Sequence, residues 1–374
     1  MFKIFAYSLL FVSTISAVSA GCAKPTSTDF SYSLTGTSIV WPDENTKSIF
    51  SSSGRYFPRN IIGTKMKIHK DNAIIALPRL KPGVPMTLGI MSLAKRQSAG
   101  LLPFPCWSIQ EEGNCEALQT VVDIALDIQD ILWVLDVGVV NTLTQPVFRC
   151  GPKVVGIDVN TGKVVKTIDL SHLVTSLSRL QELSVDYPGD GSVFLYIADA
   201  ASRAIIVYDV VGNHGFRVSL PPEVNLGNSR RDVLYTALIR KPDGNTVLYF
   251  TYLNSGRVFA IKTEDLRKGV TTNVVSTVGV KSNKIVFLGT NDGSAIFFRY
   301  KGQSDIYMWD TNTAFSPENF VLVNKGSECR LPTMVSSGPK ETMWTLESNF
   351  QDYIQNTVSA SGPSMVVKPL LKNC

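Results

Sequence analysis

Apolar runs and short polar breaks follow one another along this chain in an order that recurs. Leu195–Val210 reads LYIADAASRAIIVYDV: an apolar run, a small interruption containing Arg203, then a second run with an aspartate, Asp209, at its end. The same order, introduced by an aspartate–glycine step, appears three times. It is seen in GDGSVFLYIADAASRAIIVYDV, PDGNTVLYFTYLNSGRVFAIKT and NDGSAIFFRYKGQSDIYMWD, with turns at Asp190, Asp243 and Asp292 lying 53 and 49 residues apart. Asp-Gly predicts a two-residue hairpin turn, and runs rich in Ile, Val, Phe and Tyr predict strands. Weaker copies are DILWVLDVG (130–138) leading into KVVGIDVNTGKVVKTIDL (153–170), ETMWTLESNFQDYIQ (341–355) and an early NAIIALPRLKPGVPMTLGIMSL (72–93).

Six units of about 50 residues are each too small to bury two sheet faces and must pack against one another. The expected fold is all-β, a six-bladed β-propeller of four-stranded antiparallel blades, with a strand around Ser38–Trp41 closing the last blade. In the unit Leu195–Val210 the first run is expected to line the central channel and the second to carry the chain outward, with Asp209 ending that strand at a turn. A β-sandwich would give turn signals every 8–12 residues or so without a longer beat. Helical periodicity is scarce: a turn or two in Ser171–Gln181 and another at Glu264–Lys268. Lys95–Pro105 reads as a loop within the ring.

The first twenty residues, MFKIFAYSLLFVSTISAVSA, combine one lysine, an apolar stretch and small residues up to Ala20. That pattern predicts a secretory signal peptide (1–20), a single propeller domain over 21–374, and a secreted, extracellular product. No later apolar run approaches the roughly 18 residues of a membrane span. A formal charge of +5 spread over 374 residues, without a run of like charges, gives no support to nucleic-acid or membrane-surface binding. The six cysteines, Cys22, Cys106, Cys115, Cys150, Cys329 and Cys374, are even in number, and in an exported chain they are disulfide candidates. Sequence leaves their pairing open, and no closely spaced Cys or His pair suggests zinc. A propeller brings the chain ends together, so a Cys22–Cys374 clasp is one expectation.

ILWVLDVG followed by CGPKVVGIDVNTGKVV resembles the yellow/major royal jelly protein family of insects. SGRYFPRN (53–60), AIIALPRLKPGVPMTLG (73–89) and QSDIYMWD (303–310) match further motifs of that family in order. Val137 stands where the family has threonine and Gly151 where it has proline. Gln129 and Met308 replace family cysteines, and Cys106 is extra. The altered set implies a Cys115–Cys150 bridge. PFPCWSIQEEGNCEALQ and NKGSECRLPTM look like the yellow-g branch, which implies a non-catalytic structural or interaction component of the eggshell, in chorion or vitelline layer. Its partners would be eggshell matrix proteins.

The resemblance also implies chemistry to be tested. Amine-binding salivary members place a threonine, an asparagine and an aromatic in the channel, and Thr333, Ser348 and Phe350 stand at those positions, with Glu347 beside them. The asparagine is thus replaced by a shorter side chain. A biogenic amine or catechol is the ligand class implied, and a dopachrome-converting enzyme of the melanization pathway is the alternative, with Glu347 or Asp199 as base. Propeller hydrolases of similar architecture hold a divalent cation, and Glu182, Asp199, Asn254, Asn291 and Glu347 carry oxygen ligands of the right kind. Turn-capping and strand-ending roles account for Asp199 and Asn254 more simply, so no metal, no catalytic residue and no cofactor is assigned. His69, His172 and His214 fit no Ser-His-Asp arrangement, and no G-x-S-x-G elbow occurs.

Overall fold

The structure, a computed structural model, describes residues 31–94, 100–224, 227, 229–241, 243–327 and 329–370. The expected signal peptide and the Cys22–Cys374 clasp lie outside the described residues. Six four-stranded antiparallel sheets follow one another along the chain. Their inner strands are Lys65–His69, Val121–Leu126, Leu180–Asp186, Leu234–Arg240, Ile285–Thr290 and Leu331–Ser337. Each packs against the next, and the last packs against the first, so the ring closes as a six-bladed β-propeller.

Blade three explains the recurring pattern. The run LYIAD is its second strand, Phe194–Asp199, and AIIVYD its third, Ala204–Asp209. Leu195 and Ile197 enter the apolar cluster shared with blade two, while Tyr196 and Ala198 enter the one shared with blade four. A middle strand with a neighbour on both faces must be apolar at every position, and that produces the unbroken run. The expectation that the first run lines the channel is corrected: the channel strand is Leu180–Asp186, which precedes it. From Glu182 to Val185 that strand alternates half-buried and buried residues, because one face meets the channel. One apolar cluster of this kind lies at each of the six blade interfaces.

The Asp-Gly steps do join inner to second strands, but not as two-residue hairpins. The connections are longer and side-chain capped: Asp190 Oδ1 accepts the Ser192 amide at 2.9 Å, Asp243 Oδ1 the Asn245 amide at 2.9 Å, and Asn291 Oδ1, not Asp292, the Gly293 amide at 3.0 Å.

Ring closure also differs from expectation. The strand that completes blade six is Tyr32–Leu34, paired antiparallel with Met365–Pro369 through Leu34↔Met365. Tyr32 and Leu34 point into the core on the two-residue period and Ser33 points out. Ser38–Trp41 instead holds the end of a short turn and a single bridge from Ile39 to Leu101. Trp41 packs among aromatic rings rather than in a sheet.

Helices appear at Thr263–Arg267 and, as one tight turn, at Ser171–Leu173. Two more carry no legible period, Glu44–Ser52 and Phe350–Gln355. The first starts where Asp43 Oδ1 accepts the Thr46 amide at 2.7 Å. Cys115 is bonded to Cys150, and Cys329 is also disulfide-bonded. Cys106, a pairing candidate, is a free and exposed thiol.

If the closing strand holds the ring, Leu34→Ala should lower unfolding free energy by about 2–5 kcal/mol, because Leu34 is fully buried. Exposed Ile49→Ala should stay within about 0.5 kcal/mol. Chemical denaturation of both variants checks this, and equal losses would contradict it.

Candidate functional site

The six inner strands converge on a narrow central channel with an interior volume of about 90 Å³. Blade one contributes Lys65, blade two Asp123, blade three Glu182, blade four Thr236, blade five Phe287 and blade six Met334. Blades five and six approach closely here. A Cβ on Gly289 would lie 2.1 Å from the Val335 carbonyl oxygen, and Gly289 has a φ of +143°, so glycine is required on both grounds.

The dominant feature is an ion cluster binding three blades across the channel. Lys65 Nζ lies 2.9 Å from both carboxylate oxygens of Glu182 and 3.6 Å from Asp123 Oδ1. Asp123 Oδ2 accepts the Leu183 amide of blade three at 2.8 Å. Burial opposes the Lys65 charge, but Asp123 and Glu182 outweigh it and hold the ammonium well above the ordinary lysine range. Burial, with the charge of Asp123 adding and that of Lys65 opposing, pushes the Glu182 carboxyl up to about 7. The Tyr235 phenol is pushed up to about 12, by burial first and by Glu182 second. Two buried carboxylates share one ammonium, so the cluster stores a proton-dependent imbalance.

The residues singled out from the sequence sit apart from this cluster, apart from Glu182 itself. Thr333 occupies a bulge in the inner strand of blade six and donates to the Leu346 carbonyl at 3.2 Å. Glu347 and Ser348 end the second strand of that blade, both buried. Lys368 Nζ lies 2.9 Å from Glu347 Oε1, without hydrogen-bond alignment, and Glu347 Oε2 and Ser348 Oγ have no hydrogen-bond partner. Phe350 opens a short helix and stacks on Tyr353, ring centres 6.2 Å apart.

The other candidate oxygen ligands are engaged by neighbouring protein groups. Asp199 accepts from Ser178 Oγ at 2.5 Å, the Arg179 amide at 2.8 Å and Arg217 at 3.0 Å, which together with further contacts outweigh burial and keep its carboxyl below the usual range. Asn254 donates to Asp232 at 2.8 Å, and Asn291 accepts the Gly293 and Ala295 amides in a turn. Among the described residues no three His, Cys, Asp or Glu side chains gather into a metal-binding group. His69 Nε2 lies 3.2 Å from Asp130 Oδ1. His214 is the exposed first residue of an outer strand. Sequence reasoning missed Lys65 and Asp123. Their local signals are slight: Lys65 lies on the polar face of the alternating strand Lys65–His69, and Asp123 is the one charge in the apolar run Val121–Leu126.

The sequence model of the family described as major royal jelly protein matches residues 119–365. The chain belongs to the major royal jelly protein family. That match runs from the entry to blade two as far as the third strand of blade six, so blade one and the closing strand lie outside it. Among relatives of this family member, major royal jelly protein 1 of Apis mellifera is 25% identical over 304 residues, 74% of this chain and 68% of that one. Protein yellow of Drosophila melanogaster is 23% identical over 361 residues, 88% of this chain and 66% of that one. The chain thus spans about two thirds of those relatives' length. Regucalcin of Agrobacterium tumefaciens, a calcium-binding protein, superposes over 83% of this chain and 91% of its own. Its TM-score of 0.48 and 13% identity are too low to bear on function.

A carboxyl raised in the folded state takes up a proton between its ordinary value of 4.5 and about 7. Its stabilising contribution is therefore full below the lower value and is lost as pH rises through the upper one. The melting temperature of wild type relative to Glu182→Gln should fall as pH goes from the lower value to the upper. Parallel melting curves across that window would contradict the assignment.

Proposed function

We propose that this is a secreted, non-catalytic propeller that acts as a structural or interaction component of an extracellular layer, the insect eggshell. The observation that carries the reading is the contrast between the channel and the rim. Lys65, Asp123 and Glu182 in the channel are tied to one another, and the interior is smaller than the roughly 300–1,000 Å³ of an ordinary ligand pocket. Among the described residues, the outermost strands of blades two, four and five, by contrast, end their sheets and bear exposed apolar side chains. Val164 and Val165 stand exposed on blade two, Val280 on blade four, and Val321 and Leu322 on blade five. Phe148, on a small hairpin inserted in blade two, is 82% exposed. Unprotected apolar edges invite lateral association, as a layer component requires. Eggshell in particular is supported by the likeness of residues 103–119 and 324–334 to the yellow-g branch. Secretion is supported by the amino-terminal pattern and by the disulfides.

Antibody staining should place the protein in chorion or vitelline layer, with recovery only in denaturing extracts. Val165→Lys, Val280→Lys and Val321→Lys together should shift most of it into the freely extractable fraction. Deposition confined to salivary gland or cuticle would overturn the eggshell reading.

One observation favours a second reading. Glu347 Oε2 and Ser348 Oγ are buried without a hydrogen-bond partner, which is unfavourable by about 1–3 kcal/mol for each such group. A cationic catecholamine or indoleamine would pair with Glu347 Oε2, with Phe350 as the stacking ring. Under the enzymatic alternative, Glu347 would remove a proton from dopachrome. Calorimetric titration with dopamine and serotonin should then show saturable binding whose affinity Phe350→Ala lowers by up to about tenfold. Dopachrome loss should slow in Glu347→Gln. Neither heat nor a rate above background would remove this reading.

A further inference from the structure

We propose that the cleft between helix Glu44–Ser52 and the loops of blades one and two is a binding site for a planar aromatic anion, an aryl carboxylate or sulfonate. This cleft lies outside the channel and is independent of the reading above. Its volume of about 580 Å³ is more than six times that of the channel. It falls within the range of roughly 300–1,000 Å³ that accommodates small organic ligands.

The walls are aromatic. Trp41 and Trp107 stack with ring centres 5.1 Å apart, and Phe50 sits 5.1 Å from Trp41 and 6.1 Å from Trp107. Phe50 and Trp107 line the cleft and are only partly buried, so ring faces and edges remain for a flat guest. The floor is preformed. Arg79 is buried and donates from Nε to the Val84 carbonyl at 2.9 Å. Its other donors go to the carbonyls of Leu118, Gln119, Pro85 and Gln110. The Gln110 side chain accepts the Thr87 and Leu88 amides and donates to the Phe104 carbonyl at 2.8 Å.

Charge selects the guest. Three guanidinium groups, Arg55, Arg79 and Arg149, face the cleft with two carboxylates, Glu111 and Glu112. Glu112 is shared between Arg149 at 2.8 Å and Arg79 at 3.9 Å. Arg79 contributes positive potential but no donor, because all its N–H groups are engaged. Arg55 is the available donor. Its guanidinium lies 4.2 Å over the Phe50 ring, and its Nε reaches Ser53 Oγ at 3.0 Å. Among the described residues it has no carboxylate within ion-pair distance. A cationic guest is disfavoured twice: the cleft carries a net positive charge, and Arg55 already holds the cation position over Phe50. An anion would pair with Arg55 while its ring lies along Phe50 and Trp107.

Calorimetric titration of the intact protein with naphthoate, and with naphthylmethylammonium as the matched cation, tests this. Naphthoate should bind at one site, about tenfold or more tighter than the cation, the gain expected of a charge-assisted hydrogen bond. Arg55 is exposed, so Arg55→Met should leave the melting temperature unchanged while weakening naphthoate about tenfold. Glu347→Gln should leave naphthoate affinity unchanged. Absence of saturation at millimolar naphthoate, equal affinity for anion and cation, an unaffected Arg55→Met variant, or a loss in Glu347→Gln would each overturn the proposal.

Discussion

A four-stranded sheet with apolar residues on both faces has no stable existence in water, and the six such sheets in this chain cover one another. Leu195 and Ile197 need blade two, and Tyr196 and Ala198 need blade four. The same dependence passes from blade to blade until it must return to the start. Tyr32–Leu34 makes that return, joining the first described strand to the last blade. Hydrophobic burial at the interfaces supplies the driving force, and ring closure ensures that no interface is left facing solvent.

The channel follows from the same constraint. Inner strands crowd around one axis, so their channel-facing side chains are forced close together. Charges placed there cannot stay hydrated and must find each other. Lys65, Glu182 and Asp123 do so across three blades, which turns a liability into an inter-blade tie. Space and free polar groups are thereby displaced to the periphery. The wide aromatic cleft beside helix Glu44–Ser52 and the apolar outer edges are where this molecule can meet others.

Much of this was legible in the sequence wherever a rule acts locally. Middle strands such as LYIAD and AIIVYD show themselves because burial on both faces removes every polar residue. The beat of about 50 residues follows from blade size, and six units with a closing strand could be read from it. Inner strands were harder: LQELSVD and KMKIH mix charges with apolar residues because one face meets the channel, so they resemble loops. The Lys65–Glu182 pair joins residues 117 apart and has no local signature. Helix Glu44–Ser52 carries few apolar residues and depends on the Asp43 cap and on Phe50 in the aromatic cluster, which only tertiary structure reveals. The position of the closing strand was missed because Trp41 looked like a strand residue and is in fact a cluster residue.

Interdependence of the blades is best measured by native-state hydrogen exchange, followed amide by amide on the middle strands. Phe194–Asp199, Thr246–Tyr252, Ala295–Tyr300 and Met343–Ser348 should all exchange with one common opening free energy, equal to that of global unfolding. Two groups of blades opening at clearly different free energies would show that the ring is two units side by side, and would contradict the account.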